Sequence, residues 1–498
     1  METEAAVPAS GGLRSIRSRS REVGRSRSTA RIVVSTVAGT YAFAFVAAAV
    51  VHYMVFRSPH NDLGNMSQAV WSTSHGHFLE MTAMSGRQIS RLAVHVEPFL
   101  ILLVPLWWLW GSPMLLVVVQ AIAVCTGAFP VFWLGRKHLG SERAAMHFAV
   151  AYLIFPATQF NAFDPSSGFH AVSLAVPFIL FAIWFLYEDR LALFALFALL
   201  ACSTGEQIPA AVGCLGIWYG LRRGRWAVAL SIFGLGMSAS LLNFLLIIPH
   251  FARSGIDPFA GRYKAVGGTP HGMLNTLVSD PAAFVHAVGT THKLLFLFLL
   301  FLPFLGYWLR QPSLLLGAVP QLSIDLLSSR PEQSAIPYHY TSGVVPFVVA
   351  ASIFGAARLS GDPGRISFYT LVAVACTAVY SPLLVARSDL AALSSPVRAT
   401  KAHALSLIPS GAPVSASNQL GSALSARRYS FVFPTVGSGA WILVDRADPT
   451  YIDPAAYVRS IRAVESNAAW KTVYSLDGVT LLRRDDAQAQ AIRRSARR

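Results

Sequence analysis

Three carboxylates, Asp62, Asp164 and Glu206, stand beside long apolar runs in a chain where only 13% of residues are Asp, Glu, Lys or Arg. An ionisable group near bilayer depth is costly, so each is a functional candidate before anything else is known. A carboxylate within hydrogen-bond reach of a hydroxyl can take its proton as the oxygen attacks, a step worth about 10² to 10⁴ in rate. Arg87, Arg91, Arg262 and Lys264 are the cations that could clamp a phosphate, Arg in bidentate fashion. Asn65, Gln68, His170, Tyr263, Tyr338, His339 and Tyr340 offer hydrogen bonds and aromatic faces to a bound substrate. His170, Glu206 and His339 could also hold a divalent cation, although no His-x-x-x-His or comparable spacing supports a metal.

Such groups need a scaffold, and composition says of what kind. The 498 residues are 54% apolar with a mean hydropathy of +0.50, which leaves a water-soluble fold of this length too little charge to cover itself. A polytopic all-α membrane protein of about eleven transmembrane helices is expected. Disorder, collagen and a disulfide-stapled scaffold are excluded by high apolar content, absence of a Gly period and only four Cys. The net charge of +16 concentrates at the ends, in a basic arm over residues 1–31 and an Arg-rich stretch over 481–498. Neither tail interleaves its Arg with stacking aromatics, so membrane topology accounts for the charge and nucleic acid is not expected as a partner.

Ile32 to Phe56 is 25 residues without a charge, enough to cross about 30 Å of hydrocarbon. Residues 1–31 then read as a disordered cytoplasmic arm, 32–385 as the membrane domain with a first outer loop over 57–95, and 386–498 as an extracytoplasmic α/β domain. Pro98 to Trp110 suits a surface helix, Met114 to Leu134 crosses inward to Arg136, Lys137 and Arg143, and residues 249–291 form a long outer loop. With that parity every candidate residue above falls on the outer face. Arg87 and Arg91, four residues apart, are expected one helical turn from each other on a shared face, and Asp62 could also serve as a helix cap.

The run Phe56 to Phe78, with Asp62-Leu63-Gly64-Asn65 and Gln68, resembles the opening signature of a bacterial membrane family, domain of unknown function 2079. Tyr152-Leu153-Ile154-Phe155-Pro156, Phe163-Asp164 with Phe169-His170, and Tyr338-His339-Tyr340 to Pro346-Phe347 extend the resemblance, and Pro413 to Ser417 and Arg427-Arg428-Tyr429 continue it into the tail. A wider plan is similar to the GT-C class of membrane glycosyltransferases: a first span, an outer loop with an early acid, a surface helix, a second acidic loop and an extracytoplasmic C-terminal domain. Asp62 matches the first acid and Asp164 or His170 the second. Many members of that class carry an adjacent acidic pair where this chain has Asn61-Asp62-Leu63, and the Lys-Glu usual in the third loop of the 2079 family is Gly205-Glu206 here.

The resemblance implies a polyprenyl-phosphate sugar as donor, a cell-envelope glycan or protein as acceptor, membrane lipids as surroundings and the outer face of the bacterial cytoplasmic membrane as location. Asp62 would be the base, with Asp164 and Glu206 as further catalytic candidates. Two other readings stay open at this point: a transporter or flippase of a lipid-linked or small polar substrate, and a non-catalytic protein of envelope assembly.

Overall fold

The computed structural model describes residues 11–252, 259, 261–448 and 452–485, with side chains from residue 29 onward except residue 270. Helices dominate up to residue 406, and strands gather after it. The first helix, Gly11–Met54, runs back from the apolar span through part of the basic arm, where the sequence reading expected disorder; Arg is a good helix former, and the helix meets no Pro there.

Among the described residues four helices are long and apolar enough to cross a membrane: Thr29–Met54, Met114–Leu139, Trp226–Phe251 and Pro363–Ala392. Pro281–Val288 and Thr291–Phe304 would make a fifth as a pair bent by 63°. Shorter apolar helices, among them Ala171–Tyr187, Leu191–Cys202, Pro312–Leu327 and Val345–Ala356, pack with them around one extended apolar core. Leu230, Leu235, Leu241, Leu245 and Leu246 stand exposed along the Trp226–Phe251 helix. A water-facing protein rarely presents such a stripe, whereas hydrocarbon accommodates it at no cost. The chain is a membrane protein.

Several expected segments differ in detail. Phe99–Leu109 is broken at Leu103 and, at 1.5 Å per residue, too short to span. The expected long loop over 249–291 contains two helices, Pro270–Ser279 and Pro281–Val288, each started by a Pro behind a capping Thr269 or Asp280. The first loop holds a hairpin of β1 (Glu80–Thr82) and β2 (Gln88–Ser90), so Arg87 and Arg91 are not one helical turn apart; Gly86, at φ +79°, supplies the turn.

After residue 406 come β3 (Val414–Ala416), β4 (Ser430–Val432), β5 (Trp441–Asp445), β6 (Trp470–Leu476) and β7 (Val479–Arg484). They form one mixed sheet in the order β4-β3-β5-β7-β6, with β4, β3 and β5 parallel and β7 antiparallel to both neighbours. Alternate side chains of β5 face opposite sides: Trp441 and Leu443 join one apolar cluster with Ala404 and Ile408, and Ile442 and Val444 join another with Tyr457 and Ile461. The helices Pro396–Ser406 and Pro454–Glu465 thus cover the two faces.

The sheet is bonded to the first loop along the β4 side. The Gln68 carboxamide donates to the carbonyls of Arg427 and Arg428, both at 3.0 Å, and to Thr82 Oγ1, while its oxygen accepts from the Thr82 amide at 2.8 Å. Ser67 and Ser425 hydroxyls meet at 2.6 Å, and the Asn61 amide donates to Asn418 Oδ1 at 3.2 Å.

Candidate functional site

The chain leaves the first helix at Met54 and, after Pro59, winds one π-helical turn, His60–Gly64, before the regular helix Asn65–Ser74. Wide turns of this kind are frequent at functional sites. Asp62 lies in the turn and makes no capping bond, so the helix-cap alternative does not hold. Leu63 beside it is fully buried, and its amide donates to the Ser167 carbonyl at 3.3 Å, which ties the Asp62 turn to the loop of Asp164.

That second loop, Asp164-Pro165-Ser166-Ser167-Gly168, is an Asx-type turn. Asp164 Oδ1 accepts from the Ser166 amide and hydroxyl and from the Ser167 amide, and Gly168 closes the turn at φ +79°. A Cβ at Gly168 would lie 3.2 Å from that of Leu63, so the same glycine lets the two loops approach. With Oδ1 saturated, Oδ2 is left buried and without a hydrogen bond, 3.7 Å from Nδ1 of His339. His170 follows, its backbone amide donating to Gln120 Oε1 at 2.8 Å. Its ring stacks on that of His339 with centroids 3.4 Å apart and planes at 14°. Its Nε2 lies 3.5 Å from Asp62 Oδ1.

Two carboxylate–imidazole pairs therefore meet through their stacked rings. Separations of 3.5 and 3.7 Å exceed an ordinary hydrogen bond, so both carboxylates keep room for another group. Burial pushes Asp62 up to about 7; Arg91 opposes this and Asp164 adds to it. Burial also drives His170 well below the usual imidazole range, reinforced by His339, so the stacked rings are neutral rather than a repelling pair of cations. Tyr340, its ring 4.2 Å from that of His339, is pushed up to about 12 by burial, with Arg262 pulling down and Asp62 pushing up. Tyr338 is raised by burial, then by Glu332 and Asp164.

The remaining expected residues divide plainly. Arg262 stands over the Phe259 ring at 5.5 Å, and its buried Nε has no hydrogen-bond partner. Tyr263 is raised by burial, with Arg262 and Gln333 pulling the other way. Arg91 is buried, its Nε committed to Glu97 Oε2 at 2.8 Å. Arg87 is exposed on the hairpin and Lys264 is exposed beyond Tyr263. Gln68 is wholly engaged with the hairpin and the C-terminal sheet, away from the carboxylates. Asn65 is buried and donates to the Asn61 carbonyl at 2.8 Å. Glu206 has both oxygens occupied, by His95 Nδ1 at 2.9 Å and the Val96 amide at 3.1 Å. Burial opposes its charge, yet those two donors outweigh it and hold the carboxyl below its usual range. Glu206 fixes the end of the first loop instead of facing the stacked histidines. Asp257 lies outside the described residues.

Sequence reasoning passed over Asp325. It sits fully buried in the helix Val319–Leu327, with Gln321 donating to one oxygen at 2.9 Å and the other unpartnered. Gln321 in turn accepts from Gln207 at 2.9 Å. A lone acid in an apolar run was the available signal. The turn that shapes Asp164 was also legible, since Asp-Pro-Ser-Ser-Gly is turn chemistry throughout.

Among the described residues, Asp164, His170 and His339 each offer one ligand atom, all within 4.8 Å of one another, and form a group that could hold a metal ion.

Two solved structures of ArnT from Cupriavidus metallidurans are similar in fold. The apo state has a TM-score of 0.47 at 13% identity, covering 90% of this chain and 98% of that one. The form bound to undecaprenyl phosphate has a TM-score of 0.49 at 14% identity, covering 88% and 97%. No curated protein matches the chain. Residues 53–481, which contain the Asp62 turn, the Asp164 loop, the His339 segment and the C-terminal sheet, match the family described as predicted membrane protein (DUF2079), and the chain belongs to that family.

Proposed function

We propose that the protein is a membrane glycosyltransferase that moves a sugar from a polyprenyl-phosphate donor to a cell-envelope acceptor at the outer face of the cytoplasmic membrane. The observation that carries the reading is Asp62, partly exposed and 3.5 Å from His170 just beyond the first apolar helix, and Arg262, whose buried Nε has no hydrogen-bond partner, is the candidate cation. A base and a cation at the edge of hydrocarbon suit a substrate whose lipid tail stays in the bilayer while its phosphate and sugar emerge.

In the proposed reaction Asp62 takes the proton of the acceptor hydroxyl as its oxygen bonds to the anomeric carbon. The bond between that carbon and the phosphate oxygen breaks, and the leaving polyprenyl phosphate gains the negative charge. Arg262, whose Nε has no protein partner, is placed to receive it. His170 orients the Asp62 carboxylate through its Nε2. The polar groups gather at one end of the helices, whereas transporters place them at mid-bilayer on broken helices, and this favours surface chemistry over transport.

The test is transfer from a labelled polyprenyl-phosphate sugar in proteoliposomes, with donor and acceptor pools first defined by comparing lipid-linked sugars and envelope glycans in cells with and without the protein. Asp62→Asn should fold and insert as the parent does but transfer at least 10²-fold more slowly. A fully active Asp62→Asn variant would remove Asp62 from the mechanism.

A further inference from the structure

We propose that Asp164, His170 and His339 bind one divalent transition-metal cation, zinc being the species their donors suit best. The three come from two segments far apart in sequence, yet their ligand atoms converge within 4.8 Å. Three buried atoms there lack any hydrogen bond: Oδ2 of Asp164, Nδ1 of His170 and Nδ1 of His339. Unsatisfied buried polar atoms are uncommon, and three on residues whose ligand atoms lie this close together ask for a shared partner. Asp164 is only 1% exposed, and among the described residues no Lys or Arg pairs with it. A carboxylate so buried is ordinarily paired or bound to metal.

The supporting contacts are those a metal site needs. Ser166 and Ser167 hold Asp164 through Oδ1 and so aim Oδ2 inward. Asp62 faces Nε2 of His170, and a carboxylate behind a ligating imidazole fixes its tautomer and raises its basicity. Two imidazoles and one carboxylate favour zinc or a neighbouring transition metal over magnesium or calcium, which take oxygen ligands. Three protein ligands leave a fourth position open, as in sites that bind a substrate oxygen. The rings stack at 14°, so their in-plane lone pairs run nearly parallel and do not cross at one point. An ion about 2.0–2.1 Å from both nitrogens requires the rings to splay, and the loaded form should show that change.

The site is read from metal binding alone, independently of sugar transfer. Full-length protein in detergent is stripped with chelator, then titrated with zinc, manganese or magnesium chloride by calorimetry, with bound metal counted by mass spectrometry. One equivalent of zinc is expected, with magnesium at least 10²-fold weaker. Asp164→Asn keeps the serine contacts through its remaining oxygen, and His339→Gln is close in size; both should lose stoichiometric zinc while melting with the stripped parent. Asp62→Asn should retain the equivalent even where transfer is lost. X-ray absorption should report two nitrogen ligands and one carboxylate. Absence of a bound equivalent in folded parent protein, or unchanged zinc binding in both Asp164→Asn and His339→Gln, would overturn the proposal.

Discussion

Arg91 was expected to contact phosphate, and its surroundings predict something else. Its Nε lies 2.8 Å from Glu97 Oε2, with the two side chains only 5% and 4% exposed. Removing one member of a buried pair leaves the other charge desolvated and unpaired, which costs about 3–5 kcal/mol, whereas replacing both by neutral groups of similar volume is often close to neutral. Arg91→Met and Glu97→Gln should therefore each destabilise the protein by about 3–5 kcal/mol, and the double variant by less than either. The coupling of about 3 kcal/mol or more is the diagnostic quantity. Thermal unfolding of the four proteins in one detergent, followed at several scan rates to separate equilibrium from kinetic effects, gives the ordering. Should Arg91→Met melt with the parent and lose only affinity for a polyprenyl-phosphate donor, the pair is not structural and Arg91 belongs to the phosphate site after all.

His60 is fully buried against the backbone of Gly421 and Ser430, and burial pushes it down to about 4. Below about pH 6.5 the unfolded chain takes a proton that the folded one refuses, so stability is complete above that value and falls by about 3 kcal/mol between pH 6.5 and 4. Melting curves against pH should show the loss in the parent and a shallower slope in His60→Leu; identical slopes would refute the assignment. Gly168→Val places a branched side chain at φ +79° and crowds Leu63, so the Asp164 turn should be displaced and transfer reduced at least tenfold, with Gly168→Asn milder; full activity in Gly168→Val would count against the tie between the loops. Membrane-impermeant thiol reagents in a cysteine-free background should label cysteines placed at positions 62 and 335 from outside and not those at 140 or 360. Labelling at 140 would invert the proposed orientation.

Much of the architecture could be read from apolar run lengths. Met114 to Leu134 and Trp226 to Ile248 lie within helices of 26 residues each, and the short apolar run Trp441 to Val444 lies in β5. Hydrophobic length and β-branched runs are local signals, and these elements need nothing else. The hairpin carrying Arg87 was missed because three-residue strands carry too little alternation to outweigh a four-residue spacing that also fits a helix. The acids were legible as anomalies, but their partners were not. His95 meets Glu206 across 111 positions and Asn161 meets Thr341 across 180. Such pairings depend on how helices are packed, which periodicity along one segment does not encode. Burial decided roles as well: Glu206 and Asp62 look alike in sequence, yet one has both oxygens occupied and the other has space beside it.

The contacts of Asn61, Ser67 and Gln68 with Asn418, Ser425, Arg427 and Arg428 bear on biogenesis. The turn that carries Asp62 follows the first helix directly, but the groups that grip it are translated more than 350 residues later. A nascent or prematurely terminated chain can thus sit in the bilayer with its spans in place while the reactive corner stays unformed. Synthesis past Arg428 is then what completes this corner, so a copy truncated before it would hold its first helices without the grip on the Asp62 turn.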